Sequence, residues 1–302
     1  MTHAQYLEHA EIVSLNGAPL RVDQYIAAYT ATLKRSQLKN RLTALQINGK
    51  AAKLSQLVHN GDTLKFSWLP LVSTLQPQDI SLNIIYEDDN VCVINKEQGM
   101  AVHPGAGRPD GTLANALAYH LGLSGGDYRT GIVHRLDMDT SGVIITAKNE
   151  KTHNFLAHQF KERRVQKRYL ALVHNFIDGQ LALSGLIDNY IARSRRNRLL
   201  FCCGDDENRG KRAITNYTLL KNYGKVSLVL FKPSTGRTHQ LRVHSAYMGQ
   251  PIVGDNLYGK DEGLMLHAWK LRLTLPSESE PRTFMAKAPE RFYRYLREIN
   301  ES

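Results

Sequence analysis

Residues 131–149, GIVHRLDMDTSGVIITAKN, constrain this chain more than any other stretch. Two β-branched apolar segments, Ile132-Val133 and Val143-Ile144-Ile145-Thr146, flank a polar run holding His134, Arg135, Asp137 and Asp139. Short β-branched runs bounded by turn residues read as strands, so the polar run is expected on a bend between two buried strands. A carboxylate on such a bend is held rigidly and can still face a cleft, which suits catalysis. A structural Arg–Asp pair at a strand end fits the same residues equally well. Spacing alone does not separate Asp137 from Asp139.

With 302 residues, two domains are expected. The first dozen residues read as a loosely held lead. Residues 18–67 read as a small α/β unit. Val22, Tyr25, Ile26 and Tyr29 have helical spacing, Ser36 is placed to cap a second helix carrying Leu38, Leu42 and Leu45, and Asn48-Gly49 marks a hairpin. Residues 68–82 contain two prolines and no clean period, and read as a linker. From residue 83 to 302 a larger domain follows. Strands are expected at 84–86, 91–94, 165–173, 214–232 (a hairpin) and 264–275, and helices at 112–121, 150–163, around Gln240 to Met248 and at 289–300. Residues 193–212 hold seven Lys/Arg against three acids and read as an exposed insertion. Turn-paired strands with irregularly placed helices predict an α+β fold with a mixed, largely antiparallel sheet.

The formal net charge of +11 favours an anionic partner, with nucleic acid ahead of acidic membranes. Residues 18–67 hold eight Lys/Arg and two Asp/Glu, and Lys34, Arg35, Lys39 and Arg41 cluster at the second helix. The three cysteines show no CxxC spacing, which speaks against a disulfide framework and a zinc knuckle and for a reduced, cytoplasmic setting. No secretory leader is read at the start, and no apolar run reaches membrane-spanning length. Neither HExxH, GxGxxG nor GxxxxGK[ST] occurs, so metalloprotease, dinucleotide and P-loop readings fail, and Ser141 lies in TSG rather than GxSxG, which speaks against a hydrolase elbow there. What remains is a carboxylate, nearby arginines and a strand tyrosine. One aspartate without a metal can act as nucleophile or as general base, and a tyrosine can stack on a base. That set suits work at a glycosidic carbon or a pyrimidine ring. A glycoside hydrolase would ordinarily want two carboxylates across one bond. A non-catalytic RNA-binding protein is the other alternative.

Several long segments, in order, resemble the RluA family of RNA pseudouridine synthases. They are INKEQGMAVHPG, the GIVHRLDMDTSG stretch, VQKRYLALV, GKRAITNY, STGRTHQLRVHSAYMGQPIVGDNLYG and LMLHAWKLRLTLP, within about residues 84–276. Glu97 departs from the pattern, which often has proline after the lysine. RVDQYIA, KRSQ, ALQINGK and VHNGD resemble the S-four RNA-binding domain, a usual companion in front.

The resemblance implies the pseudouridine synthase fold and isomerisation of uridine in structured RNA, ribosomal RNA first and transfer RNA second, by a monomer without cofactor or metal. By motif match, Asp137 is the catalytic aspartate. Arg237 pairs with it, Tyr169 stacks on the target base and assists proton removal from C5, and Leu241 packs beneath the base. Arg135 fills the space the uridine leaves, and Lys167 supports the site or a phosphate.

Overall fold

The computed structural model describes residues 6–29, 35–69, 75–105, 108–122, 131–175, 182–197, 199–259 and 263–301. The chain divides into two compact units, Met1–Ser73 and Thr74–Ser302.

The first unit runs β1 (Leu7–Ile12), β2 (Leu20–Arg21), α1 (Val22–Tyr29), α2 (Arg35–Arg41), β3 (Leu42–Ile47), β4 (Lys50–Ala51), β5 (Leu57–Val58) and β6 (Thr63–Trp68). One sheet has the order β1-β6-β3-β4, and β2 pairs with β5. Val22, Tyr25, Ile26 and Leu38 of the helices pack on Leu64 and Phe66 of the sheet. At the β3–β4 turn Asn48 (φ 52°) and Gly49 (φ 75°) both take the positive φ that a tight two-residue hairpin requires.

Two expectations fail in this unit. Residues 7–12 are not a loose lead: β1 pairs antiparallel with β6 along its whole length, from Leu7↔Trp68 to Ile12↔Thr63. The second helix ends at Arg41, so Leu42 and Leu45 lie in β3, and Ser36 lies inside α2 rather than capping it. Ladder pairing of β3 with β6, Leu42↔Trp68 to Ile47↔Leu64, wins over the helical spacing of the leucines.

The second unit runs β7 (Ile84–Glu87), β8 (Val91–Lys96), α3 (Leu113–His120), β9 (Ser141–Ala147), α4 (Glu150–Lys161), β10 (Gln166–His174), β11 (Ser184–Arg193), β12 (Phe201–Gly204), β13 (Lys211–Asn222), β14 (Val226–Pro233), α5 (Gln240–Tyr247), β15 (Leu266–Leu273), β16 (Arg282–Met285) and α6 (Glu290–Glu301). Its sheet has the order β12-β11-β13-β14-β10-β15-β9-β8-β7, with β16 added to β15. The ladders among described residues are antiparallel except β15–β9, which is parallel through only His267↔Ser141 and Ala268↔Gly142. This is the α+β class expected, with a mixed and largely antiparallel sheet.

That short parallel junction positions the site. Beyond it β15 no longer pairs with β9, and residues 131–134 run beside β9 instead. The expected strand at Ile132-Val133 is therefore only a single bridge, Ile132↔Thr146. Two further expectations are corrected. The insertion at 193–212 contains β12, paired with β11 at the sheet edge. The linker is shorter than 68–82: Trp68 closes β6, and the Gln76 carbonyl accepts from Asn115 Nδ2 at 2.8 Å inside the second unit. Among the described residues no helix is long and apolar enough to cross a membrane.

Candidate active site

The loop carrying Asp137 is tied down on both sides. At its start the Gly131 carbonyl accepts from Ala147 N at 2.9 Å. Gly131 has φ 62°, and a Cβ there would lie 1.7 Å from the Ala147 carbonyl oxygen, so only glycine fits. Ile145 N donates to His134 Nε2 at 3.0 Å, which places the ring proton on Nδ1 and supplies the bond that β15 does not make. The ring stacks on Phe160 with centroids 4.5 Å apart. Burial, and then the charge of Lys167, push His134 down to about 3, so it is neutral.

From below, the segment after β8 grips the same loop. Lys96, fully buried, donates to the carbonyls of Glu97 (2.8 Å), Met100 (2.8 Å) and Met138 (3.0 Å). Gly99 N donates to Met138 O at 2.9 Å, and Gln98 Nε2 to Asp139 O at 3.0 Å. Where Glu97 replaces the family's usual proline, these bonds fix the turn.

The result is a cavity of about 460 Å³ whose lining includes Arg135, Asp137, Lys167, Tyr169, Arg237 and Leu241. The volume falls in the range of small-ligand sites. Asp137 is half-buried and is the only carboxylate among the described residues of the lining. Asp139 is absent from the lining and only its backbone is bound to Gln98. Tyr169 stands on β10 two residues from Lys167, on the same face of the strand. Burial, and then the Asp137 carboxylate, push the Tyr169 hydroxyl above its ordinary value, so it is a neutral phenol at neutral pH. Lys167 Nζ donates to Thr235 O at 3.0 Å, bracing the turn before α5, and burial pushes it down to about 8. Leu241 is buried on α5 and Arg135 is exposed at the rim.

The expected pairing of Arg237 with Asp137 is not made. Among the described residues no ion pair joins them, and Arg237 Nε donates to the Arg212 carbonyl at 3.0 Å. The lining also holds a basic group that sequence reasoning missed. Arg242 on α5 is buried and bonded twice to buried Asp255, at 2.8 and 2.6 Å. Burial opposes its charge, but Asp255 outweighs that, with Asp137 adding to the effect. The signal for Lys96 and His134 was weak because their partners are backbone groups, and that for Arg242 because Asp255 stands 13 residues away, at a spacing that marks no common face.

In the first unit, two of the expected RNA-contacting residues have structural duties. Arg35 Nε donates to Asp23 at 2.9 Å, and Arg41 donates through Nε and Nη2 to Leu69 O. Lys39 is exposed, and Lys34 lies outside the described residues. Far from the cavity motif, Glu87, Cys92 and His120 come within 4.8 Å of one another, a grouping the sequence reading did not find. Lys148 already bonds Glu87 at 3.0 Å, and burial pushes the Cys92 thiol up to about 12, which favours an ion-pair cluster over a metal site.

A family profile described as RNA pseudouridylate synthase matches residues 90–247, more than half of the chain and the whole of the cavity lining except Leu266. The chain belongs to the RNA pseudouridine synthase family. It is 41% identical over 301 residues to a protein of Borreliella burgdorferi named ribosomal large subunit pseudouridine synthase D, covering 94% of this chain and 90% of that one. It is 35% identical to a protein of the same name from Xanthomonas campestris, covering 96% and 92%. Among solved structures, human RNA pseudouridylate synthase domain containing 1 matches with a TM-score of 0.55 and 29% identity, over 73% of this chain and 96% of that one. The synthase is thus an isomerase of the RluA family, with the pseudouridine synthase fold in its second unit.

Proposed function

We propose that this synthase converts uridines of large-subunit ribosomal RNA to pseudouridine, with Asp137 as the catalytic group. The observation that carries this reading is that, among the described residues, Asp137 is the only carboxylate lining a cavity of about 460 Å³ that also holds Tyr169 and Arg237. The relatives named for the large ribosomal subunit support the choice of RNA. In the reaction the C1′–N1 bond of a uridine breaks, the freed ring turns, and a C1′–C5 bond forms. N1 gains a proton and C5 loses one, so the mass is unchanged. Asp137 takes part in opening the glycosidic bond. Tyr169 stacks on the base and its neutral phenol assists transfer of the C5 proton. Leu241 packs beneath the base, Arg135 fills the place the flipped uridine leaves, and Lys167 holds the turn that presents Arg237. Arg237 approaches Asp137 once RNA is bound, by giving up its bond to the Arg212 carbonyl.

The first unit, with its exposed Lys39 and its likeness to the S-four domain, is assigned to RNA contact. The test is carbodiimide labelling of pseudouridine in an in vitro transcript of large-subunit ribosomal RNA. The wild type is expected to introduce labelled sites, and Asp137→Asn to introduce none while binding the RNA with nearly unchanged affinity. Turnover by Asp137→Asn would move the catalytic role elsewhere, and release of free uracil would favour hydrolysis.

A further inference from the structure

Helix α4 ends in a Schellman turn, with Arg163 N donating to Phe160 O at 3.3 Å and Arg164 N to Gln159 O at 3.0 Å. The residue after the cap must take the left-handed conformation there, and glycine is the usual choice. This chain instead puts an arginine in that position, Arg163, with φ 57°. A side chain in that backbone region is destabilising relative to glycine, so the guanidinium needs a compensating use.

None is visible within the fold. Arg163 is exposed and has no side-chain hydrogen bond or ion pair among the described residues. It lines the cavity with Lys161, Lys167, Arg135 and Arg237, against one carboxylate among the described residues of the lining, Asp137, while Arg242 there is already paired with Asp255. Packing cations together without acids is unfavourable unless an anion completes the arrangement. The charge of Arg163, after burial, contributes to the lowering of Lys167.

We propose that Arg163 binds a backbone phosphate of the RNA beside the nucleotide that enters the cavity. The inference rests on the RNA-modifying reading above and adds a binding residue to it. The strained backbone at the end of α4 is kept because it sets an arginine at the cavity rim. A flexible lysine or arginine one turn back on the helix would carry the same charge without aiming it there.

The test uses the full chain and an in vitro transcript of large-subunit ribosomal RNA, titrated at several salt concentrations. Arg163→Gly is expected to keep or raise Tm, because glycine suits the turn, yet to weaken RNA binding roughly three- to tenfold. Its slope of log K against log salt is expected to fall by about 0.7–0.9, the span from single-stranded to duplex nucleic acid for one lost phosphate contact. Arg163→Lys is expected to keep the wild-type slope, since the charge remains. An unchanged affinity and slope in Arg163→Gly, an equal loss of slope in Arg163→Lys, or a Tm lowered by several degrees in Arg163→Gly would each overturn the assignment. The last result would make the guanidinium a structural group. A wild type that makes no pseudouridine in the transcript refutes the proposed function instead, and the binding comparison still decides the role of Arg163.

Discussion

Lys96 reaches across 42 residues of sequence to donate its Nζ to the Met138 carbonyl at 3.0 Å, between Asp137 and Asp139. Together with the carbonyls of Glu97 and Met100 it has three acceptors for its three N–H groups. Burial pushes it down to about 8, while Asp139 and Asp137 oppose the fall, so it remains charged at neutral pH. Lys96→Met would take the ammonium donor from three carbonyls beneath the Asp137 loop, leaving those of Glu97 and Met100 without it while Met138 O keeps Gly99 N. The expected loss is roughly 3–5 kcal/mol of stability in urea unfolding, with activity falling more than RNA affinity. A methionine variant as stable as the wild type would show that the ammonium is not what holds the loop.

The buried pair of Arg242 and Asp255 makes a different kind of prediction. Asp255 Oδ1 also accepts from the backbone N of Leu257 and Tyr258, both at 3.0 Å, so the carboxylate organises the loop after α5. Arg242→Met strands a buried carboxylate and is expected to cost roughly 3–5 kcal/mol. Adding Asp255→Asn should recover a large part of that loss, because it removes the stranded charge while its amide oxygen still accepts from Leu257 and Tyr258 N. If the double variant is no better than the single one, the pair is not the coupled unit described here.

How much of this was legible depends on where each residue finds its partner. The strands at β7, β8 and β9 and the Asn48-Gly49 turn are set by neighbours in sequence, and their residues announce them. Strand β1 was missed because LEHAEI is largely exposed and is held by backbone pairing with β6, far along the chain. The six expected site residues of the second unit do line one cavity, but nothing in their spacing joined them; the family resemblance did. The contact of Arg237 with the Arg212 carbonyl was invisible because every residue offers a carbonyl. Arg163 carries no sequence signal, since only the φ of the folded turn makes an arginine there unusual.

Two buried histidines, His244 and His267, and the half-buried His134 predict acid sensitivity. His134 is pushed down to about 3, and His244 and His267 to about 4, each mainly by burial. The unfolded chain keeps the ordinary value near 6.5, so below that pH it binds more protons than the fold. Stability therefore falls as pH drops from about 6.5 toward 4, by up to about 1.4 kcal/mol per unit for each histidine, and this contribution is flat above 7. Urea midpoints at pH 7, 6 and 5 measure it. His134→Gln should flatten the slope and keep activity, since an amide oxygen can accept from Ile145 N. His134→Ala should lose activity. A midpoint that does not move between pH 7 and 5 would contradict the neutral assignment.

Tyr169 separates stacking from proton transfer. Its hydroxyl is held in the neutral form by burial and by Asp137, so a standing phenolate base is not available at neutral pH. In the proposed mechanism the ring and the hydroxyl have distinct duties that two substitutions resolve. Tyr169→Phe keeps the ring, and RNA affinity should stay within about twofold while kcat falls by roughly 10²–10⁴, the usual span for a positioned proton-transfer group. Tyr169→Ala also removes the stacking face, which is worth about 1–3 kcal/mol per base, and should weaken RNA binding as well. Single-turnover kinetics with the same ribosomal transcript measure both effects. A phenylalanine variant within threefold of wild-type kcat would leave the hydroxyl without a part in the chemistry, and the C5 proton would then have to leave through another group lining the cavity.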